Sequence, residues 1–243
     1  SHKRRELAVR YHQNDFEMEL DAWGHPLLHG SVTTRLNIDN VDLKPQSGWT
    51  EVCWQDDDDA CYLELEMEYD KGWRIQRQLC VCKDTAVVMI ADAVLGKQHS
   101  EIQYDVHYPF VEPNDISQSD LETRELVFET DEFKGLVMPL ALPEWRESSS
   151  IRIAGELLAD EQLVYSMQSP KSMGLYAPLF FGLGRRSADK PNTWRRLTVA
   201  DRLAVDSDDA ASAFRVQLGG RQWLLYRSLT DAGNRTFLGQ NYS

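Results

Sequence analysis

Three histidines are the side chains best suited to hold a metal. His12 precedes a strand-like segment, His29 follows the turn Trp23-Gly24-His25-Pro26, and His107 sits on the polar face of a later alternating segment. Neutral imidazoles are common zinc ligands, and three protein ligands plus a water make an open zinc site. Pairing across the first turn brings His12 near His29 if both occupy one face. The same residues also read as three unconnected polar positions on a sheet.

The four cysteines form a second group. Cys53 and Cys61 flank the tip Gln55–Ala60, and a turn at Asp70-Lys71-Gly72 sets Cys61 opposite Val81. On that reading Cys61 neighbours Cys80 and Cys82, which share a face as i, i+2. Cys-Val-Cys is not the knuckle of a four-cysteine zinc site. The thiols therefore read as half-buried small hydrophobes, with a Cys53–Cys61 disulfide as the next alternative. Asp56-Asp57-Asp58-Asp59 offers carboxylates to a hard cation but lacks the glycine and final glutamate of an EF-hand loop, so it reads as a solvated tip. Trp145-Arg146 and Trp194-Arg195-Arg196 combine an aromatic face with a guanidinium fork, the chemistry of a sugar groove; the other reading is plain core packing. Arg185-Arg186 reads as a solvated loop, and Asn234-Arg235-Thr236 matches an N-glycosylation acceptor.

Strands must position these groups. Leu63, Leu65, Met67 and Tyr69 alternate with Glu64, Glu66 and Glu68; Phe16, Met18, Leu20 and Ala22 alternate with Glu17, Glu19 and Asp21. Ile102, Tyr104, Val106, Tyr108 and Phe110 alternate with Gln103, Asp105 and His107. This period of two predicts antiparallel strands with one wet face. Further strands are expected at 31–38, 49–54, 73–82, 86–95, 122–130, 134–142, 151–158, 162–168, 175–183, 212–218, 222–229 and 235–240. Hairpin turns are expected at Trp23-Gly24, Asp70-Lys71-Gly72 and Gly219-Gly220, and longer loops at 112–120 and 184–192. The one helical candidate is short, Val199–Leu203. The pattern predicts an all-β chain: a single large antiparallel β-sandwich over residues 1–243, with at most one or two short helices and about fifteen strands.

Composition narrows the function. With 26 Lys+Arg against 39 Asp+Glu, the net charge is −13. Basic residues occur only in small clusters such as Lys3-Arg4-Arg5, which excludes the basic face of a nucleic-acid binder. The longest apolar stretch, Ala86–Ala91, stops at Asp92 and is far short of the ~20 residues of a membrane span. Four cysteines are too few for a disulfide scaffold.

Residues 7–110 carry a resemblance. His12 with its strand, Gly24, Leu27-Leu28, then Arg77-Gln78-Leu79, then Val87-Val88-Met89-Ile90-Ala91-Asp92, then His107 together resemble the β-sandwich domain of heparinase II/III-like polysaccharide lyases. The resemblance implies a sandwich similar to those of other carbohydrate-active proteins. In some members that domain holds zinc, and the matching positions are His12, His29 and His107; His29 stands where the family has Asp. Lyase chemistry needs a group that neutralises a uronate carboxylate and a Tyr or His base; Tyr11 and Tyr108 are the candidate tyrosines. Much of that machinery belongs to an α-helical toroid on the N-terminal side, which these 243 residues do not contain.

The resemblance therefore implies the C-terminal, carbohydrate-associated part of a longer periplasmic or extracellular protein. Such a domain binds an oligo- or polysaccharide, supports a helical partner domain and is not catalytic alone. The alternatives are a structural or interaction sandwich without a sugar site, and a stand-alone metal-dependent sugar enzyme.

Overall fold

A computed structural model describes residues 5–111, 116–118, 120–147, 154–201, 204–230, 235–238 and 240–242. Strands β1 (Arg5–His12), β2 (Asp15–Ala22) and β3 (His25–Ser31) form an antiparallel meander. The next eleven strands build one large sheet: β4 (Thr33–Ile38), β5 (Val41–Asp42), β6 (Thr50–Asp56), β7 (Ala60–Glu68), β8 (Arg74–Cys82), β9 (Val87–Pro109), β10 (Ile116–Gln118), β11 (Leu126–Glu129), β12 (Lys134–Pro139), β13 (Ala154–Ala159) and β14 (Gln162–Gly182). The C-terminal part adds β15 (Asn192–Leu197), β16 (Ala200–Asp201), β17 (Ala204–Val205), β18 (Ala211–Leu218), β19 (Arg221–Ser228), β20 (Arg235–Phe237) and β21 (Gln240–Tyr242). These pair as β15-β18-β19 and β17-β16-β20-β21. The fold is all-β and sandwich-like.

The turns fall where the sequence placed them. Trp23 and Gly24, both at positive φ, close the β2–β3 hairpin; Gly219 at φ 59° opens the β18–β19 turn. Asp70–Gly72 is a 3₁₀ turn with Lys71 and Gly72 at positive φ. Three expectations change. Leu7, Val9 and Tyr11 belong to an additional strand, β1, so His12 ends a strand instead of starting one. The helical candidate is extended, since Ala200–Asp201 pairs with β17 and β20; residues 202 and 203 lie outside the described residues. The segments 86–95 and 102–110 are one strand, as are 162–168 and 175–183.

That continuity makes the sandwich. β9 and β14 pair along their lengths, with register shifts between Ser169 and Gly174. Beyond these shifts the ribbon changes neighbours. Val87–Leu95 pairs with β8, and Ile102–His107 pairs with β4. Asp92 and Tyr104 are twelve residues apart on β9, roughly 40 Å if the strand ran straight. Yet the Tyr104 hydroxyl donates to the Asp92 carboxylate. The strand must therefore double back near Gly96, so that its halves face each other at about the 10 Å spacing of packed sheets. Gly96 also lies against buried Trp73, where an added Cβ would meet the indole at 2.5 Å. The two halves differ in pattern for a reason. Val87–Leu95 is covered on both faces and is apolar apart from Asp92, whereas Ile102–Tyr108 has one wet face and alternates.

The doubled strand closes over a buried ion pair. Arg77 is 0% exposed and Asp92 1%. Arg77 donates from Nε to Asp92 Oδ1 (2.9 Å) and from Nη2 to Oδ2 (2.7 Å), and Nη2 also reaches Thr34 Oγ1 on β4 (3.0 Å). The rings of Phe16 and Trp49 lie 4.6 and 5.0 Å from the guanidinium carbon. Burial and the Asp92 charge push the Tyr104 phenol well above its ordinary value, which keeps it a neutral donor.

The β15-β18-β19 sheet packs on the opposite, outer face. Trp223 meets Phe180 edge-on at 5.3 Å, and Tyr176 lies 6.2 Å from Phe214. Arg227 on β19 grips Glu64 on β7 with Nη2 to Oε1 at 2.7 Å and Nη1 to Oε2 at 3.2 Å. Burial opposes the Glu64 charge, but the Tyr62 hydroxyl and Arg227 outweigh it and hold the carboxyl below its usual range.

Three outcomes are expected. Asp92→Ala or Arg77→Met alone should cost about 3–5 kcal/mol in urea unfolding, because each strands a buried charge or its partner groups. The double variant Arg77→Met/Asp92→Leu should be more stable than either single one, and near-wild-type stability of both single variants would remove the pair as a tie between the layers. Gly96→Ala should destabilise by about 1–3 kcal/mol through overpacking against Trp73; an unchanged melting temperature would contradict that close approach. A carboxyl with a depressed folded pKa stabilises above its unfolded value and loses that contribution as pH falls through the folded one. Wild-type stability should therefore fall more steeply on acidification below the usual glutamate range than that of Glu64→Gln, and parallel slopes would count against Glu64.

Candidate functional site

Two clefts flank the β6–β8 end of the large sheet, one on each face. On the inner face a groove of about 310 Å³ runs between β1 and β6–β8. Val9 and Tyr11 line it from β1, Glu51 and Trp54 from β6, and Leu63 and Val81 from β7 and β8. Trp54 pairs in register with Leu63, which aims it at this face, and it is 56% exposed. Among the described residues β1 pairs with β2 alone and β6 with β7 alone, so each presents an unpaired strand edge beside the groove. The neighbouring tip is an ordered turn: the Asp57 carboxylate accepts from the amides of Asp59 (2.9 Å) and Ala60 (2.8 Å), which lowers its pKa. Lys83 pairs with Asp56 at 2.6 Å. This arrangement offers an aromatic platform, one phenol, one carboxylate and unpaired backbone groups, with acidic side chains at one end.

On the outer face a cleft of about 370 Å³ lies beneath β19. A chain of hydrogen bonds crosses its floor. Tyr176 Oη donates to Gln78 Oε1 (2.8 Å), Gln78 Nε2 to Tyr62 Oη (2.9 Å), and Tyr62 Oη to Glu64 Oε2 (2.6 Å). Arg227 closes the chain on Glu64 and Gln76. Burial, then the Glu64 hydrogen bond, pushes the Tyr62 phenol far above its ordinary range. Every member of the chain already has a partner, so it stiffens the cleft and leaves no base poised for proton transfer. Cys80 and Cys82 border the same cleft. The two neighbouring thiols act on each other, pushing Cys80 up and Cys82 down.

The register separates the cysteines. Cys61 stands opposite Val81, as expected, and that pairing places it on the inner face, away from Cys80 and Cys82. Cys53 pairs with Glu64 and faces outward, and all four thiols are free. The thiols are free and half-buried, as the sequence suggests, while the approach of Cys61 to Cys80 and Cys82 and the alternative Cys53–Cys61 disulfide are not formed.

The histidines are also apart. His12 pairs with Asp15 and His29 with Glu19, on either side of β2. Four residues along and two strands across leave them roughly 15 Å apart, against metal–nitrogen bonds of about 2 Å. His29 Nε2 lies 3.5 Å from Glu19, and His107 Nδ1 lies 3.2 Å from Gln162 Oε1 on β14. Among the described residues no group of three His, Cys, Asp or Glu side chains is placed to hold a metal. The three imidazoles do not fit one zinc ion.

Of the tyrosines, Tyr11 lines the inner groove, while Tyr108 is 2% exposed in the core. Trp145 is exposed, but Arg146 is committed to the Thr123 carbonyl (3.0 Å) and to Glu156. Trp194 is buried with its indole N–H on the Leu142 carbonyl at 2.8 Å, and Arg195, the next residue on the strand, points to the other side. Trp145 bridges to Thr123 beyond the β10–β11 end of the large sheet, opposite the β6 end that carries Trp54. The predicted Trp-Arg pairs thus form no common surface. Trp54 has no arginine beside it in sequence; the one signal it carries is that of an aromatic residue near the end of an edge strand.

No protein family and no curated protein matches this sequence. Solved structures do match. The heparinase III BT4657 gene product aligns with a TM-score of 0.55 at 14% identity, over 88% of this chain and 36% of that one. The heparan sulfate lyase HepC from Pedobacter heparinus aligns at 0.54 and 11%, over 89% and 37%. A further heparinase III structure aligns at 0.56 and 10%, over 89% and 36%. The chain thus spans little more than a third of the length of these proteins, and at such identities the likeness is one of fold. The described residues adopt a heparinase-like β-sandwich.

Proposed function

We propose that this chain is the carbohydrate-associated, non-toroid part of a polysaccharide lyase-like protein, and that the Tyr11–Trp54 groove forms its glycan-facing wall. The observation that carries the reading is the match to heparinase III structures over 88–89% of this chain and about a third of theirs. In this reading an α-helical partner domain precedes the sandwich, the whole protein works in the periplasm or outside the cell, and the sandwich alone turns over nothing. The supporting chemistry is local. A sugar ring stacks on an exposed indole, while the Tyr11 hydroxyl, Glu51 and the open strand edges supply hydrogen bonds.

Charge sets a preference. The chain carries a net −13, and the acidic tip abuts the groove. Polyanions are repelled at range by such a field. The groove therefore suits uncharged sugar units better than heavily sulfated ones.

A second reading, an interaction sandwich without a sugar site, is favoured by one observation: the exposed tryptophans, Trp54 and Trp145, lie at opposite ends of the sheet and form no shared platform.

Calorimetric titration of the purified chain with neutral and with sulfated oligosaccharides separates these readings. Weak binding, with Kd of order millimolar, about −4 kcal/mol, is expected for the neutral set. Trp54→Ala should abolish it, and Trp145→Ala should leave it unchanged. No binding of either set would favour the interaction sandwich. Release of unsaturated uronate by this chain alone would overturn the non-catalytic assignment.

A further inference from the structure

The outer cleft holds a concentration of sulfur that the glycan reading does not use. Cys80 and Cys82 alternate on β8, so both side chains face outward while Val81 faces the inner groove. On the adjacent strand Cys80 stands directly opposite Met89. Cross-strand partners have Cβ atoms about 4.5–5.5 Å apart, and i, i+2 neighbours on one strand about 6.7 Å. Thiolate–metal bonds of about 2.3 Å need sulfurs near 4 Å apart, which both spacings allow. All three residues line the cleft and are half-buried, not sealed in the core.

The other donors around this cluster are already occupied. Gln78, Tyr62 and Glu64 are joined in the hydrogen-bond chain. The remaining walls are apolar and aromatic, including Phe180 and Trp223, apart from Arg227, whose guanidinium is held by Glu64 and Gln76. Among the described residues lining the cleft, a cation meets two thiols and one thioether, and no free carboxylate or imidazole. Zinc prefers four nitrogen or sulfur ligands in a tetrahedron. Thiolate and thioether together select a soft ion of low coordination number. Arg5 adds positive charge beside the pair, with Nη2 on the carbonyls of Cys82 (3.3 Å) and Lys83 (2.8 Å).

We propose that Cys80, Cys82 and Met89 form a binding site for one soft monovalent metal ion, of the Cu(I) class, on the floor of the outer cleft. Binding replaces the two thiol protons, which leave to solvent, and no change of oxidation state is involved. The site is independent of the inner groove, since β8 presents its other face there.

The test uses the full chain, reduced and kept anaerobic, with Cu(I) alone as the probe and a chromogenic Cu(I) chelator as competitor. The wild type should withhold one equivalent from the chelator. Cys80→Ser and Cys82→Ser should each lose it. Cys53→Ser and Cys61→Ser, whose thiols lie elsewhere on the sheet, should retain it. X-ray absorption should show three sulfur scatterers, falling to two in Met89→Leu. Retention of the equivalent by Cys80→Ser/Cys82→Ser, its loss in Cys61→Ser, or a nitrogen or oxygen shell around the copper would each overturn the assignment. Circular dichroism of every variant separates loss of the site from loss of the fold.

Discussion

The sandwich depends on one buried ion pair. Arg77 and Asp92 lie on neighbouring strands of one layer, and both reach across to the other: Arg77 to Thr34, Asp92 to Tyr104. A guanidinium and a carboxylate removed from water each carry several kcal/mol of desolvation cost. Bidentate geometry, the hydroxyls of Thr34 and Tyr104 and the rings of Phe16 and Trp49 offset it, although Arg77 Nη1 is buried without a hydrogen-bond partner. Through these contacts the pair ties the two layers together. The β1–β3 meander contributes Phe16 to the same centre. The groove it forms with β6–β8 therefore inherits its geometry from this cluster.

Much of the architecture was legible because one face of most strands is wet. At residues 15–22 and 102–108 the alternation of apolar and charged residues reports burial directly. The pattern fails where both faces are covered. Val87–Leu95 shows no alternation, being apolar on both faces except at Asp92, and nothing local reveals that it continues past Gly96 into the next alternating stretch. Arg77 and Asp92 carry part of the family resemblance, but their pairing follows only from the register of β8 against β9.

The candidate sites were less legible, because period-two geometry converts small errors of register into opposite faces. Placing Cys61 opposite Val81 was right, yet the same fact separates it from Cys80 and Cys82. The missing strand β1 had a similar effect. With His12 ending β1 and not starting β2, the expected approach to His29 disappears. Tyr11, drawn in by the family resemblance, does line a groove; Trp54 completes it from an edge strand whose single exposed indole had no distinguishing neighbour in sequence.

A strand that belongs to both layers also governs how the chain acquires its structure. β9 cannot finish pairing until β14, which begins more than fifty residues further on, has been made and aligned. Contacts between segments so distant in sequence carry a high loop-closure cost before they return any energy, and chains rich in them fold slowly. While β14 is awaited, the Val87–Leu95 run stands uncovered, with the composition that favours self-association. The chain should thus be most vulnerable during synthesis, and the long β9–β14 ribbon, once zipped, leaves no seam along which one layer can come apart without the other.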